Sequence, residues 1–286
     1  MKFFYFHVQL YAMISFAPVA LLFGIIVGSF LNVVILRYNT GKGLNGRSEC
    51  LSCKKKLSWK ELFPIVSFFI QKKRCAGCDS KLRWQYPLVE IATGILFFLA
   101  YLQVEPLLYE NILLFLATLT LTVIIFSVLV VIFVYDLYHT IIPNLFVYIF
   151  IFCAALLNFI QFFTAWQNST TVEIISVLNL VSGALFLIPF FVLWDISEGA
   201  WIGLGDGKLA IGIGLLLGFI NGISALILAF WVGAVLSVGY LLYMTIIKKQ
   251  KRSEITREIP FAPFMIIATL IVYFFPIDIL NIGLFL

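Results

Sequence analysis

Two aspartates are the residues whose setting most directly indicates chemistry in this chain. Asp136 stands at the end of a long apolar run in Val-Tyr-Asp136-Leu, and Asp206 stands where another run begins, in Gly-Leu-Gly-Asp206-Gly-Lys. A carboxylate at the end of an apolar segment is costly unless it is paired, neutral or used in function. Two of them from separate segments are what acid–base hydrolysis by a carboxylate pair requires. Asp136 and Asp206 are therefore candidate catalytic residues.

Each aspartate taken alone also fits a structural role. Asp206 suits the N-cap of a helix, which aspartate fills well, and Asp136 suits an interfacial residue that ends a span. The glycines beside Asp206 allow close backbone approach and positive φ, which favours contact with an extended substrate. Pro143, in the turn after Asp136, suits the first turn of the next helix. A shared membrane face would favour the catalytic pair over these separate roles.

Four cysteines form a second constellation. Cys50-Leu-Ser-Cys53 and Cys75-Ala-Gly-Cys78 are separated by 21 residues. Two C-x-x-C pairs at such a distance fit a tetrahedral four-thiolate zinc site, which is structural because no coordination position stays open. A short polar insert buries little core, so a metal would supply much of its folding energy. Disulfides and free thiols are the alternatives, and the isolated Cys153 indicates packing within an apolar segment.

The composition indicates the elements that must position these residues. Of the 286 residues, 63% are hydrophobic and 12% are charged, and the mean hydropathy is +1.09. Soluble domains carry about 25% charged residues, so we expect an all-α polytopic membrane protein. Apolar runs of sufficient length predict about eight transmembrane helices. Their expected positions are 11–36, 87–104, 111–134, 141–163, 174–194, 208–220, 222–247 and 260–275, with a break at Asn221-Gly222 between the sixth and the seventh.

The basic residues predict the orientation. The segment 37–84 holds twelve of the nineteen Lys and Arg residues, and the loop 248–258 holds five more. Positively charged loops stay in the cytoplasm, so eight spans place both termini outside and both Asp136 and Asp206 at the cytoplasmic face. The cytoplasm is reducing, which favours zinc over disulfides at the cysteines. The net charge of +5 is thus a signal of topology, and nucleic acid is not an expected partner.

Several motifs together resemble one family. Their order along the chain is similar to that of the bacterial type IV prepilin peptidases, and the resemblance covers nearly the whole sequence. Beside the two C-x-x-C pairs and Asp136, the motifs are Gly28-Ser-Phe-Leu-Asn32-Val, Tyr86-Pro87-Leu-Val-Glu90, Ile142-Pro143, Gly203-Leu-Gly205-Asp206-Gly-Lys208 and Pro260-Phe261-Ala-Pro263-Phe264.

The resemblance implies a membrane aspartyl endopeptidase of the GxGD type in the bacterial cytoplasmic membrane. Such an enzyme cleaves the leader from type IV prepilins or type II secretion pseudopilins at the cytoplasmic face of the lipid bilayer. It often also methylates the new N-terminus with S-adenosylmethionine. Asp136 and Asp206 would be the catalytic pair, and Cys50, Cys53, Cys75 and Cys78 would bind structural zinc.

The resemblance also implies that the chain has three parts, and two competing functions remain as alternatives. Residues 1–36 would form the first transmembrane helix, 37–84 a cytoplasmic zinc-binding insert, and 85–286 the transmembrane peptidase core. The chain departs from the family pattern at Asn144, where an acid is usual, and at Ala262, where glycine is common. The competing hypotheses are a proton- or cation-coupled transporter, in which the aspartates bind ions, and a non-catalytic assembly factor of a pilus or secretion machine.

Overall fold

Helices make up the regular structure of the chain. The computed structural model of the protein describes residues 2–41, 43–44, 46–168, 174–247 and 259–280, with side chains from residue 16 onward except those of 168 and 247. The helices are α1 (Lys2–Arg37), α2 (Val66–Ile70), α3 (Gln85–Val104), α4 (Ile112–His139), α5 (Asn144–Asn168), α6 (Ile174–Ile196), α7 (Leu204–Leu242) and α8 (Ala262–Phe274). Pairing of β type within the described residues is limited to two isolated bridges. The predicted all-α class is confirmed.

Six of the described helical segments are long and apolar enough to cross a membrane. They are Phe16–Arg37, Gln85–Leu108, Ile112–His139, Asn144–Gln167, Ile174–Ile196 and Leu204–Ile246, and the shorter apolar helix Ala262–Phe274 follows them. This confirms a multi-pass membrane protein. The basic loop 248–258, on which part of the predicted orientation depends, lies outside the described residues.

Helix α7 contains two of the expected spans. The apolar segment Leu204–Ile246 has 43 residues, which would extend for roughly 64 Å as one straight helix, about twice the hydrocarbon core of a bilayer. Its regular backbone breaks at Gly218, where φ is 76° and ψ is −174°. Phe186 of α6 lies against Gly214 on one side of the break and Gly222 on the other. The two halves therefore fold back on each other. The sequence predicted this break at Asn221-Gly222, and the structure places it at Gly218.

The chain divides into two compact units, Met1–Val131 and Ile132–Leu286. In the first unit, α1 and α3 pack with their backbones almost in contact. A Cβ added at Gly24 would lie 2.7 Å from the carbonyl oxygen of Thr93, and one added at Gly28 would lie 2.8 Å from the Cα of Glu90. These small residues allow the close helix packing that the spacing Gly24-x-x-x-Gly28 predicts.

In the second unit, α7 packs against α5, α6 and α8. Buried amide and hydroxyl groups connect these helices where lipid offers no hydrogen bonds. Nδ2 of Asn158 donates to the carbonyl oxygens of Asn179 and Leu215, at 3.2 and 2.7 Å. The hydroxyl of Ser182 donates to the carbonyl oxygen of Gly214 at 2.7 Å. The first half of α7, whose first turn carries Asp206, is thereby fixed between α5 and α6.

Candidate active site and cysteine cluster

Asp136 lies in the last turn of α4 and is 4% exposed. Its carboxylate interacts with the backbone amide of Ala262, the first residue of α8. The N-terminus of a helix carries unpaired N–H groups and the positive end of the helix dipole, so it stabilises a negative charge. The Pro-Phe-Ala-Pro-Phe segment therefore supplies a backbone donor to Asp136. Sequence reasoning recognised this motif but did not connect it to the aspartate.

Asp206 lies in the first turn of α7, three residues after the N-cap Gly203. Its side chain is partly exposed and interacts with the backbone of Gly203. It is therefore not the N-cap that the structural alternative expected, although it occupies the same positive end of the helix. Each carboxyl group thus lies beside the N-terminus of a helix. Asp206 lies in the first turn of its own helix, α7, and Asp136 of α4 contacts the N-terminus of α8.

The two aspartates line one open cavity of about 1000 Å³ in the second unit. Asp206 also lies close enough to Asp136 for their charges to interact. The aromatic residues Phe230, Phe261 and Phe264 line the same cavity. It therefore combines two acids with an apolar wall. Glu90, the acid of the motif Tyr86-Pro87-Leu-Val-Glu90, lines a different cavity in the first unit.

The glycines around Asp206 act through close packing. A Cβ added at Gly205 would lie 3.1 Å from the Cβ of Ile142, in the turn that follows α4. One added at Gly207 would lie 3.2 Å from the Cβ of Phe190 in α6. Neither glycine, nor Gly203 with its φ of −81°, has a positive φ. The freedom to adopt positive φ is therefore not used here, and the small size of these glycines allows the close approach of Ile142 and Phe190. Contact of the glycines with an extended substrate stays a prediction.

Lys208 connects the two aspartate segments. Its Nζ donates a hydrogen bond to Oδ1 of Asn144 at 2.9 Å and lies 5.5 Å from the ring centroid of Tyr148. Both Lys208 and Asn144 line the cavity. Asn144 replaces the acid that is usual in the resembling family, and its amide oxygen still provides an acceptor for the lysine. His139, the last residue of α4, is exposed, and its ring centroid lies 4.4 Å from that of Tyr135.

The four cysteines of the insert converge. Their Sγ atoms all lie within 4.8 Å of one another. Sγ of Cys50 is 3.9 Å from Sγ of Cys78, and Sγ of Cys53 is 4.0 Å from Sγ of Cys75. A tetrahedral zinc site with Zn–S bonds of about 2.3 Å has S···S edges of roughly 3.8 Å, whereas a disulfide requires about 2.05 Å. The arrangement fits a metal ion, and all five cysteines of the chain are free of disulfides; Cys153 is buried in α5.

The insert consists of two matching halves offset by 25 residues. The backbone N–H of Cys50 donates to the carbonyl oxygen of Lys55, and that of Cys75 donates to the carbonyl oxygen of Ser80, both at 2.9 Å. An isolated bridge joins Glu49 to Lys56, and the same bridge joins Arg74 to Lys81. The residue after each second cysteine is left-handed, with φ of 59° at Lys54 and 57° at Asp79. Each C-x-x-C pair therefore forms the same ligand-presenting turn.

The surroundings of the cysteines shift their pKa values in different directions. Backbone hydrogen bonds from Cys53, and further from Ser52, lower the pKa of Cys50 to about 6. Hydrogen bonds from the side chain and backbone of Ser80 lower the pKa of Cys78. The backbone hydrogen bond from Lys55 acts in the same direction on Cys53, but burial and contacts with the other sulfur atoms outweigh it and raise its pKa to about 11. A metal ion at the centre would favour four thiolates together.

Fold and site together define a class of protein. The chain is an all-helical, multi-pass membrane protein with two acids in one cavity and a cluster of four thiols. Residues 22–104 match the family model described as the bacterial peptidase A24 N-terminal domain, and residues 123–238 match that of the type IV leader peptidase family. The chain belongs to the type IV leader peptidase family and is a membrane-embedded peptidase, which confirms the resemblance seen in the sequence.

Individual relatives agree with this assignment. The chain is 30% identical to a prepilin leader peptidase/N-methyltransferase of Myxococcus xanthus, over 86% of this chain and 68% of the relative. It is 28% identical to one of Bacillus subtilis, over 91% and 94%, and 30% identical to one of Vibrio cholerae, over 87% and 93%. No solved structure matches the chain significantly. These findings give no support to a transporter.

Proposed function

We propose that this protein removes the leader from type IV prepilins or pseudopilins by hydrolysis at the pair Asp136 and Asp206, and that it then methylates the new N-terminus. The observation that carries the peptidase proposal is the cavity that both aspartates line. The relatives' names include both activities. In peptide hydrolysis by a pair of carboxyl groups, one group acts as the base and the other as the acid.

The mechanism follows from the surroundings of the pair. Two carboxylates in a partly dry cavity cannot both ionise easily, so together they hold one proton. The ionised member takes a proton from a water molecule as that water attacks the scissile carbonyl carbon. The protonated member donates a hydrogen bond to the carbonyl oxygen as negative charge develops there. The peptide bond then breaks without a covalent enzyme intermediate, and the leaving amine takes up the transferred proton.

The helix N-termini would orient the two carboxyl groups before the substrate binds. Because the backbone of Ala262 interacts with Asp136 and the backbone of Gly203 interacts with Asp206, each carboxylate keeps a fixed orientation without needing a basic side chain. Preorganised groups of this kind lower the cost of rearrangement during the reaction. Phe230 and Phe261, whose rings are 4.8 Å apart, form an apolar wall beside the acids. This wall suits the hydrophobic stem that follows a prepilin leader.

The cysteine cluster would have a structural role. Cys50, Cys53, Cys75 and Cys78 would bind one zinc ion, which supplies cross-linking and charge neutralisation but no open coordination position. The distribution of Lys and Arg supports a cytoplasmic location for this insert and for the aspartate cavity. We place the protein in the bacterial cytoplasmic membrane because it has several membrane-spanning helices and its relatives are bacterial prepilin leader peptidases.

Incubation of membranes that contain the protein with a purified prepilin tests the proposal. Mass measurement of the product would find the mature pilin, shortened by its leader, with one added methyl group when S-adenosylmethionine is present. Unchanged prepilin, in membranes with verified and folded protein, would contradict the peptidase proposal and favour a non-catalytic assembly factor. A shortened product that gains no methyl group would contradict the methyltransferase proposal alone.

A further inference from the structure

A second cavity lies in the first unit, between the cytoplasm-facing ends expected for α1 and α3 and the cysteine insert. Its volume is about 360 Å³, within the range of small-molecule sites. Much of its lining is apolar and includes Leu36, Phe68 and Tyr86. The proposed peptide hydrolysis uses none of these residues.

Glu90 is the buried acid of this cavity and has no role in the proposed hydrolysis. It lies in α3, is 6% exposed, and its Oε2 accepts a hydrogen bond from the backbone N–H of Ile65 at 2.7 Å. Within the described part of the chain, no basic side chain forms a salt bridge with it. Burial of a carboxyl group without a cationic partner is costly. A cationic ligand would offset that cost.

The polar groups near Glu90 are also short of hydrogen-bond donors. Asn32, which is 2% exposed, uses its Nδ2 to donate to the carbonyl oxygens of Gly28 and Tyr86 at 3.3 and 3.1 Å. Its buried Oδ1 has no hydrogen-bond partner among the residues that the structure describes. Since both Glu90 and Asn32 offer acceptors, this end of the cavity favours a ligand that carries N–H or O–H donors.

Charge is distributed unevenly around the cavity. Between Arg37 and Glu90 the chain has four acidic residues, and three of them, Glu49, Glu61 and Glu90, line the cavity. Of the eleven basic residues that the structure describes in that stretch, only Arg37 lines it. The guanidinium of Arg37 already donates to the carbonyl oxygens of Gly43, Leu44 and Arg47, each at 3.1 Å. Glu61 is already paired with Lys55, whose Nζ lies 3.0 Å from its Oε1, so the acidic character of the cavity rests chiefly on the buried Glu90.

We propose that this cavity binds the sulfonium methyl donor, S-adenosylmethionine, with Glu90 beside its cationic end and the apolar wall of Phe68 and Tyr86 around its adenosyl group. The proposal rests on the methyltransferase activity proposed above and assigns it a site apart from the aspartates. The donor matches the cavity because it combines an aromatic adenine with a net positive methionyl end, in which a sulfonium and an ammonium group outweigh one carboxylate, and with several hydrogen-bond donors.

The chemistry of methyl transfer balances without a further reactant. The lone pair of the substrate amine forms the new N–C bond as the S–CH3 bond breaks. The sulfur keeps the electrons of that bond and becomes the neutral thioether of S-adenosylhomocysteine, and the nitrogen loses one proton to solvent. The product therefore lacks the sulfonium charge that an acidic cavity attracts. The difference between donor and product gives the proposal its sharpest test.

A basic leader peptide is the alternative occupant. The cavity is small and mostly apolar, and a polypeptide backbone would need donors and acceptors along its length. A compact ligand with one charged end suits the lining better. We therefore favour the methyl donor and treat leader binding as an outcome of the test.

The test is equilibrium binding of S-adenosylmethionine and of S-adenosylhomocysteine to the purified full-length protein in detergent. Glu90→Gln keeps the shape and an acceptor for Ile65, and it should weaken donor binding by about tenfold or more, as expected for a hydrogen bond to a charged group. It should weaken product binding much less. Ser29→Leu, at a lining position whose hydroxyl contacts the carboxyl group of Glu90, adds bulk without changing the charge and should weaken the binding of both ligands. Asp79→Asn is the matched control, because Asp79 is an acid of the same insert that is exposed and pairs with Arg74 outside the cavity.

Several outcomes would overturn the proposal. Unchanged donor affinity in both Glu90→Gln and Ser29→Leu, with zinc content and unfolding temperature as in the wild type, would place the donor elsewhere. An increased KM for prepilin with unchanged donor affinity would assign the cavity to the leader. Absence of donor binding in a wild-type protein that cleaves prepilin would contradict the methyl-donor site and leave the peptidase proposal intact. Asp206→Asn should bind the donor normally, so loss of cleavage and loss of donor binding can be told apart.

Discussion

The ammonium group of Lys208 donates a hydrogen bond to Oδ1 of Asn144 at 2.9 Å. This contact joins α7, which carries Asp206 in its first turn, to α5, the helix that follows Asp136. The two motifs are more than sixty residues apart in the sequence. Their connection lies within the cavity that both aspartates line. The geometry of the pair therefore depends on side chains that do no chemistry themselves.

Substitution of Asn144 tests this connection. Asn144→Asp keeps the acceptor and should retain cleavage close to that of the wild type. Asn144→Leu leaves the ammonium group of Lys208 without this acceptor, at a cost of about 0.5–1 kcal/mol for a solvent-exposed contact, and should lower the rate of prepilin cleavage by roughly two- to fivefold. Initial rates with one prepilin measure both. Equal rates for the two variants would show that the contact does not position the site.

Gly205 should be intolerant of a side chain because of its contact with Ile142. A Cβ at Gly205 would lie 3.1 Å from the Cβ of Ile142, so Gly205→Ala would push Asp206 away from the turn after Asp136. Small displacements of this kind can cost about a hundredfold in rate. We expect a loss of cleavage of that order with little change in the unfolding temperature. Gly239→Ala in the same helix is the control, since no described residue lies within 4 Å of its added Cβ. Wild-type rates in Gly205→Ala would contradict the packing argument.

The fold-back of α7 predicts a stability effect at Gly218. Its φ of 76° and ψ of −174° belong to a region that is almost closed to residues with a Cβ, and a Cβ there would lie 2.6 Å from Oδ1 of Asn179. Gly218→Ala should destabilise the protein by about 1–3 kcal/mol, seen as a lower midpoint of thermal unfolding. A midpoint equal to that of Gly239→Ala would show that α7 does not need this conformation.

Much of the candidate site could be predicted from the sequence because its residue types are unusual for an apolar chain. Asp136 and Asp206 stand out as acids, and the cysteine spacing already matches a metal site. The helical break could not be located as well, because Asn221-Gly222 is the stronger turn signal and the packing of Phe186 against α7 places the break at Gly218 instead.

The remaining features depend on contacts between distant residues. The backbone amide of Ala262 meets Asp136 only after α8 packs into the second unit, and Glu90 lines its own cavity because α1 and the insert enclose it. One signal was present and missed. The same residue types follow each cysteine pair at the same spacing, as Lys56, Leu57 and Trp59 and again as Lys81, Leu82 and Trp84. This repeat predicts the two matching halves of the insert.

The cysteine cluster predicts a zinc content that a single substitution removes. The wild type should bind about one zinc ion per chain, and Cys50→Ser or Cys75→Ser should lose most of it and unfold at a lower temperature. Cys153→Ser serves as the control, because Cys153 is buried in α5 and lies outside the cluster. Elemental analysis of purified protein measures the metal. Wild-type protein from which a chelator has removed all zinc, and which still unfolds cooperatively at the same temperature as before chelation, would contradict the metal site.

The rate of prepilin cleavage by Asp136→Asn, Asp206→Asn and the double variant tests the central claim most directly. Groups that act as one unit give non-additive losses, so each single variant should fall by about a thousandfold or more and the double variant little further. Asp195→Asn, at an exposed acid near the end of α6, should cleave like the wild type. Cleavage within tenfold of the wild type by either single aspartate variant, with membrane insertion and folding intact, would contradict the account.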